Sequence, residues 1–415
     1  MVGGGACPSM APELPVPCRL PTPSPATVAD LVAELAAITT RPWTLMEVCG
    51  GQTHAILRWG LDQLLPASLR LIHGPGCPVC VTPAATLDAA LALAQRPEVI
   101  LCSYGDMLRV PGSGAANLLT VRAGGADVRL LTSPLQALEL ARAHPQRQVV
   151  FLAVGFETTA PATALLARRT LALGLANLSI LTAHVRVAPA METLLEPDRS
   201  DGTPTEVQGF LAAGHVCSVI GTGELKELVA NHRLPVVVTG FEPVDLLRGV
   251  LTCVRLLEQG APRLENAYPQ VVREEGNPAA RALLAEVFAV VDQPWRGFGV
   301  VRGGGLALQG PWAALEARLR FGLPAPHDHP TASSSRPGCP SCPPAAPAGP
   351  MDGPINAPAA DPCIAAAILR GRALPTQCTA FGSACTPEHP LGAPMVSSEG
   401  VCAAYQRYRQ APTPP

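Results

Sequence analysis

Leu69-Arg-Leu-Ile-His-Gly-Pro-Gly-Cys-Pro-Val-Cys-Val-Thr-Pro83 holds one whole structural unit in a single line. Leu69–His73 is an apolar, strand-like run, and Gly74-Pro-Gly76 ends it with a tight turn. Thr82 is a cap residue and Pro83 suits a first helical turn, so a helix is predicted over Ala84–Ala94. The unit recurs along the chain. Further candidate strands are Thr44–Val48, Val99–Tyr104, Val128–Leu131, Val149–Val154, Leu178–His184, Val216–Ile220 and Val236–Thr239. Amphipathic stretches lie between them at Pro134–Ala143, Ala162–Leu173, Glu224–Asn231 and Val244–Glu258. Strands alternating with helical crossovers form parallel sheets with helices on both faces. The expectation is an α/β protein with two consecutive parallel-sheet α/β domains and a small Cys-rich C-terminal domain.

Bulk composition agrees. The chain has 415 residues, 48% hydrophobic and only 15% charged, with formal net charge −2. That length carries two or three domains, each with its own core. No basic surplus marks it for nucleic acid, and no acidic block marks it for a charge-driven partner. Lys226 is the single lysine, which excludes a phosphate loop of the G-x-x-x-x-G-K-S/T type. No run approaches the ~18–20 apolar residues of a membrane span, and the first residues lack the basic and apolar regions of a secretory leader. A cytoplasmic location is expected, where thiols stay reduced. The fourteen cysteines then read as ligands or redox groups rather than structural disulfides.

Residues 1–26 are rich in Pro and Gly and read as a disordered tail, with order starting at a capping box, Thr27-Val-Ala-Asp30. The first α/β domain is placed at 27–145 and the second at 146–323. Residues 324–362 are a Pro, Ala and Ser stretch that can bury no core, and read as a flexible insert. Core-like sequence returns over 363–408, followed by a tail at 409–415.

Cys363, Cys378, Cys385 and Cys402 fall in that last domain, separated by 14, 6 and 16 residues. Four thiolates from one small domain suit an iron–sulfur cluster or a structural zinc. Wide spacing without paired C-x-x-C knuckles favours the cluster, with scattered buried thiols as the plain alternative. Cys49 stands in Met46-Glu-Val-Cys-Gly-Gly-Gln-Thr-His54, where a strand runs into the thiol and a helix starts near Gln52. Open parallel sheets bind ligands at that edge, and a helix N-terminus favours thiolate over thiol. His54 offers a general base, a metal ligand or a residue that orients the turn. Cys77 and Cys80 form a C-x-x-C pair before the predicted helix, placed for reversible disulfide formation. Half a zinc site and an inert pair are the other readings. Glu157, in Gly155-Phe-Glu-Thr-Thr-Ala-Pro161, puts a carboxylate at a strand end suited to ligand binding or proton transfer, although a Thr-rich helix cap would look the same. Tyr104–Gly112 and Gly240–Pro243 are strand-end loops of the same kind. His184 and His215 read as core or loop histidines rather than ligands. Together these residues suggest thiol redox chemistry fed by electrons from a cluster.

These motifs resemble the HypD family of nickel–iron hydrogenase maturation proteins across most of residues 27–408. The marks are CGGQTH at 49–54, GPGCPVCVTP at 74–83, GDMLRVPGS at 105–113, GFETTAP at 155–161 and GHV at 214–216. GFEPVDLL at 240–247, EGN at 275–277, WRG at 295–297, and ILRG and MVSSEGVCAAY near the C-terminus continue the series. The resemblance implies a pair of related α/β domains carrying an iron–sulfur domain, and a scaffold for building an Fe(CN)2CO group rather than an enzyme that turns over a metabolite. It implies a stable complex with HypC, transient delivery of cyanide by HypE, and contact with the hydrogenase large subunit through HypC. Cys49 would hold the transient iron, with its cyanide and carbon monoxide ligands, together with a cysteine of HypC. Cys77 and Cys80 would be the redox pair, exchanging electrons with a 4Fe–4S cluster on Cys363, Cys378, Cys385 and Cys402. His54 and Glu157 would belong to the same site.

The chain departs from the family pattern in places. Cys363-Ile-Ala-Ala366 keeps only the first Cys of a C-x-C-G element, and Pro394 stands where a Cys usually precedes MVSSEG. WRG runs on into Phe-Gly-Val-Val-Arg-Gly-Gly-Gly instead of a Pro and a Ser-Gly. The insert, with Cys339, Cys342, His327 and His329, reads as a linker rather than a weak metal tract. Two readings from other classes stand beside the maturation role. One is an iron–sulfur disulfide reductase acting on other thiols, and the other is a non-catalytic zinc scaffold.

Overall fold

The computed structural model describes residues 25–114, 116–197, 202–324 and 363–409. The tail expected over 1–26 lies outside them up to residue 24, as do the insert beyond Pro324, with Cys339 and Cys342, and the end beyond Arg409. The first helix spans Pro25–Ile38, so Thr27 lies inside it rather than capping it.

The described strands, in chain order, are β1 (Trp43–Glu47), β2 (Leu69–His73), β3 (Val99–Ser103), β4 (Val128–Leu130), β5 (Gln148–Gly155) and β6 (Leu178–Val185). They continue with β7 (Gly209–Ala213), β8 (Val236–Thr239), β9 (Leu264–Asn266), β10 (Phe288–Trp295) and β11 (Gly299–Leu308). The first sheet has the order β2-β1-β7-β8-β9 and is parallel throughout. The second has the order β10-β11-β6-β5-β3-β4, with β4, β3, β5 and β6 parallel. The hairpin β10–β11 is added antiparallel at the β6 edge. The α/β expectation holds, with two sheets dominated by parallel pairing.

The two sheets do not divide at residue 145. Segment 27–145 gives β1 and β2 to the first sheet but β3 and β4 to the second, and segment 146–323 likewise serves both. The reason is long-range pairing. Leu45 of β1 sits beside Gly209 of β7, and β6 meets β11 at His184 and Leu306. Helical crossovers are visible in local sequence, but the neighbour each crossover returns to is not.

Every residue of β6 is buried, as are all of β5 after Gln148, because helices cover both faces. This is why those runs read as unbroken apolar stretches. Helix predictions held within two residues at Ala84–Ala94, Gln136–Ala143, Ala160–Ala172, Gly223–His232 and Pro243–Glu258. Val216–Ile220, expected as a strand, lies in a helix, Gly214–Ile220. The strand position is taken by β7 just before it, and propensity yields to that packing. A Cβ at Gly214 would stand 2.6 Å from the Thr239 carbonyl oxygen, so only glycine lets this helix start against β8.

In the first sheet, β1 leads to β2 on one side while β7 leads to β8 and β9 on the other. The carboxyl ends of β1 and β7 therefore flank a topological switch point, where open α/β sheets bind ligands. Segment 363–409 ends in the helix Val401–Tyr408, which packs on the helix Gly50–Trp59 that follows β1.

Candidate functional site

Cys49 is the extended residue between β1 and the helix Gly50–Trp59, and is 1% exposed. Its N–H donates to Glu47 Oε2 at 2.8 Å. Glu47 Oε1 accepts from the Thr53 hydroxyl and from His73 Nδ1 at 2.7 Å. Glu47 is wholly buried, so three donors satisfy a carboxyl that would otherwise be costly inside the fold. His73 presents its ring edge to Tyr405, with centroids 5.8 Å apart, and its Nε2 is buried with no hydrogen-bond partner among the described residues. The helix N-terminus acts on Cys49 in the expected direction, through the N–H groups of Gln52 and Gly51, but it loses. Burial pushes the Cys49 thiol far up, and the Glu47 and Glu399 carboxyls add to it. Burial thus opposes the thiolate that the turn favours.

His215 Nδ1 lies 3.6 Å from the Cys49 sulfur, and the Phe241 ring lies against His215 at 5.1 Å. Burial lowers the affinity of this imidazole for a second proton. Reading His215 as a loop histidine missed this contact, since β7, which carries it to Cys49, was not predicted. His184 is the satisfied core histidine expected: its ring bonds the Gly155 carbonyl at 3.2 Å and the Thr163 hydroxyl at 2.9 Å.

His54 faces the other way. Its Nδ1 meets the Ser398 carbonyl at 3.2 Å and its Nε2 meets the Tyr408 hydroxyl at 3.0 Å, so both nitrogens hold the C-terminal segment. This fits an orienting residue better than a base at the sulfur.

Gly76 stacks directly on Cys49. A Cβ there would lie 2.3 Å from the Cys49 nitrogen, and Gly50 N–H donates to the Gly76 carbonyl at 2.8 Å. The C-x-x-C turn and the Cys49 turn are thereby locked together. Cys77 opens a short helix, Pro78–Val81, and Cys80 lies within it. Thr82 closes that helix, its hydroxyl bonding the Pro78 carbonyl at 2.9 Å, so it does not cap Ala84–Ala94 as expected. Cys80 is buried and hydrogen-bonds Cys77, and Cys402 and Glu399 lie near enough to act on it. All of these push its thiol up, burial first. Glu399 of the C-terminal segment thus acts on both Cys49 and Cys80, and its backbone lies over Gly50, where a Cβ would meet its carbonyl oxygen at 2.6 Å.

Cys402 is the hub of the C-terminal set. Burial raises its thiol, and Cys363, Cys385 and Cys378 raise it further in that order. Leu391 N–H donates to Cys385 Sγ at 3.3 Å, and Gly392 makes room for Cys363 Sγ, which a Cβ would approach to 2.3 Å. Among the described residues no three His, Cys, Asp or Glu side chains are gathered as the donors of one metal ion. Soft donors only, a backbone N–H aimed at sulfur and glycine-made space fit a thiolate-held cluster.

Glu157 lines a cleft of about 1090 Å³ with Arg186 and Glu224, while its neighbours Gly155, Thr158 and Thr159 line a second cavity with Pro78 and Val79 of the C-x-x-C turn. Glu157 Oε1 accepts the Val187 N–H at 3.0 Å, and its Oε2 is buried with no hydrogen-bond partner among the described residues. Burial, chiefly, lifts its carboxyl from the ordinary 4.5 to about 7. The folded state therefore holds this proton more tightly than the unfolded one. The stability this gives is complete below the unfolded value and is lost as pH rises through about 7. At pH 8, Glu157→Gln should be more stable than the parent by roughly 2–3 kcal/mol, and near pH 4 the gain should vanish. Urea unfolding at both pH values checks this, and a gain independent of pH would refute it.

No helix of the described residues is long and apolar enough to cross a membrane. The family model HypD, described as "Hydrogenase formation hypA family", matches residues 26–343 and 351–409. The hydrogenase expression/formation protein HupD of Azotobacter chroococcum is 44% identical over 392 residues, covering 93% of this chain and 96% of the relative. The hydrogenase maturation factor HypD of Rhizobium leguminosarum is 43% identical, over 91% of this chain and 92% of its own. The factor of the same name from Escherichia coli K12 is 40% identical, over 92% of this chain and 93% of its own. With the family model and these relatives matching nearly end to end, this chain belongs to the HypD family of hydrogenase maturation factors.

Proposed function

We propose that the chain is a redox scaffold on which a hydrogenase iron acquires its ligands as an Fe(CN)2CO group. In this reading HypC is the stable partner and places a cysteine beside Cys49. HypE supplies cyanide transiently, and the hydrogenase large subunit is reached through HypC. The observation that carries the proposal is contiguity. Cys49 is stacked on the Gly76 turn, Cys80 follows it in hydrogen-bond contact with Cys77, and Cys402 with its three neighbouring thiols comes next.

Each residue set has its task. Cys49 stays protonated by burial until a metal displaces the proton. Cys77 and Cys80 store two electrons and two protons when their disulfide is reduced to two thiols, and release them when it re-forms. A 4Fe–4S cluster held by Cys363, Cys378, Cys385 and Cys402 would supply electrons to that pair, one at a time. Glu399 bridges the two sulfur sites, and His54 holds the C-terminal segment over them.

Iron, acid-labile sulfide and zinc, measured with a visible spectrum on anaerobically purified protein, test this. About four iron and four sulfide per chain are expected. One zinc with no sulfide and no colour would remove the electron source and leave a zinc scaffold. Turnover of other disulfides without HypC would instead favour a reductase.

A further inference from the structure

We propose that the cleft beside Glu157 is a docking groove for an arginine-bearing, otherwise apolar segment of a protein partner, with the arginine seated on the Glu157 carboxylate. The sequence shows no acidic block, yet the fold makes one here. Glu157, Glu224, Glu227, Glu274 and Glu275 line the cleft, against two cations, Arg186 and Arg281.

Both cations are already engaged. Arg186 donates to Glu224 Oε1 at 2.5 Å and to the Gly303 carbonyl at 2.7 Å, and Arg281 donates to the Glu275 carbonyl at 2.9 Å. Neither gives a donor to Glu157 Oε2, which is buried with no hydrogen-bond partner among the described residues. Glu157 Oε1 is taken by the Val187 N–H. A buried carboxylate oxygen without a donor is costly, and a cation entering the cleft removes that cost.

The acidic rim is preformed. Glu224 and Glu227 stand one turn apart on the helix Gly223–His232. Glu274 and Glu275 are fixed against the start of that helix by main-chain bonds, Thr222 N–H to the Glu274 carbonyl and Asn277 N–H to the Val219 carbonyl, both 3.0 Å. Gly276 has φ +68°, and a Cβ there would lie 2.3 Å from the Gly221 nitrogen, so only glycine allows this contact. The Asn277 side chain then accepts from Ala280 N–H and caps the next helix. The EGN motif thus has a task, which is to hold two carboxylates at the mouth of the cleft.

Shape and lining choose the occupant. The cleft is about 1090 Å³, room for several residues rather than one side chain, and Leu284, Phe288, Val290 and Leu306 give it an apolar wall. Val290 is 55% exposed and has surface to offer. Arginine suits the acidic end better than lysine does. Its guanidinium is less strongly hydrated, and its several N–H groups can serve Glu157 Oε2 and a rim carboxylate together.

Binding of a fluorescent, acetylated and amidated pentapeptide, arginine flanked by alanine and leucine, to the full-length protein tests the proposal. Replacing arginine by uncharged citrulline should weaken binding roughly 10–100-fold, the range for a hydrogen bond to a charged group. Glu157→Gln keeps an oxygen for the Val187 N–H and should cost the arginine peptide as much, while leaving the citrulline peptide unchanged. Arg186, Glu224 and the Cys217 thiol are the charged and titratable groups acting on Glu157 from neighbouring elements, and its carboxyl loses its proton near pH 7. Wild-type affinity for the arginine peptide should therefore rise about tenfold from pH 6 to pH 8, and Glu157→Gln should flatten that profile. Val290→Ser should weaken the peptide but not N-acetyl-arginine amide. Equal binding of the two peptides, no binding of either at millimolar concentration, or an unchanged affinity in Glu157→Gln overturns the proposal. Displacement by spermidine at lower concentration than by N-acetyl-arginine amide, or indifference to Val290→Ser, would make this a small-cation site and overturn the docking groove.

Discussion

Cys49→Ala should reduce maturation of the target hydrogenase to background while leaving the iron and sulfide content of the chain unchanged. The fold has little reason to notice the change. The N–H that bonds Glu47, the extended backbone ahead of the helix and the Gly76 contact are all main-chain features that alanine keeps. Removing one buried sulfur leaves a small cavity, worth about 1 kcal/mol. The chemistry has every reason to notice, because no other thiol lies on that turn and His215 Nδ1 would be left without its sulfur partner. Infrared bands of the assembled group and the visible spectrum of the cluster, recorded on the same preparation, separate the two effects. Maturation retained in the variant would remove Cys49 from the mechanism.

Cys385→Ala should do the reverse, losing the cluster and its colour and then assembly as a consequence. Cys385 is buried at the centre of a loop that it helps to organise. Its N–H donates to the Ala380 carbonyl at 2.8 Å, its carbonyl accepts from Gly382 N–H at 3.1 Å, and its sulfur accepts from Leu391 N–H at 3.3 Å. Alanine keeps the first two bonds and strands the third. It also leaves three thiols where a four-iron cluster uses four. Iron should fall from about four per chain to near zero. The helix Val401–Tyr408, which carries Cys402 against Gly50–Trp59, should loosen with it, lowering the melting temperature. A full iron and sulfide complement in this variant would show that Cys385 is not a ligand.

Much of the architecture was legible in the chain. β2 and β8 match their predicted runs residue for residue; β8 is buried along its whole length and so is apolar throughout, while the edge strand β2 keeps Leu69 and Ile72 buried and exposes Arg70. The Cys49 and C-x-x-C turns were legible too, since glycine and proline leave the backbone few choices there. Other parts were not. β10 and β11 are half exposed, β10 broken by Asp292, Gln293 and Pro294 and β11 rich in glycine, so neither an unbroken apolar run nor a clean alternation marks them. β7 was hidden because its neighbour Val216–Ile220 carries the stronger strand signal yet lies in a helix. Glu47 did leave a mark, as a charge inside a buried strand, but the donors that explain it come from Thr53, His73 and the backbone of Cys49.

The sequence by itself determined the local units, the α/β class, the thiol-rich turns and, through its motifs, the family. These follow from forces acting over a few residues: the period of apolar side chains, the demands of turns and the start of each helix. The tertiary structure alone decided which strands share a sheet, that the chain passes from one sheet to the other and back, and that His215 meets Cys49. It also decided that His54 turns away from Cys49 and that burial outweighs the helix N-terminus at the Cys49 thiol. Those outcomes depend on contacts between residues far apart in the chain, such as Cys49 and His215, and on the water excluded around them, which local sequence does not encode.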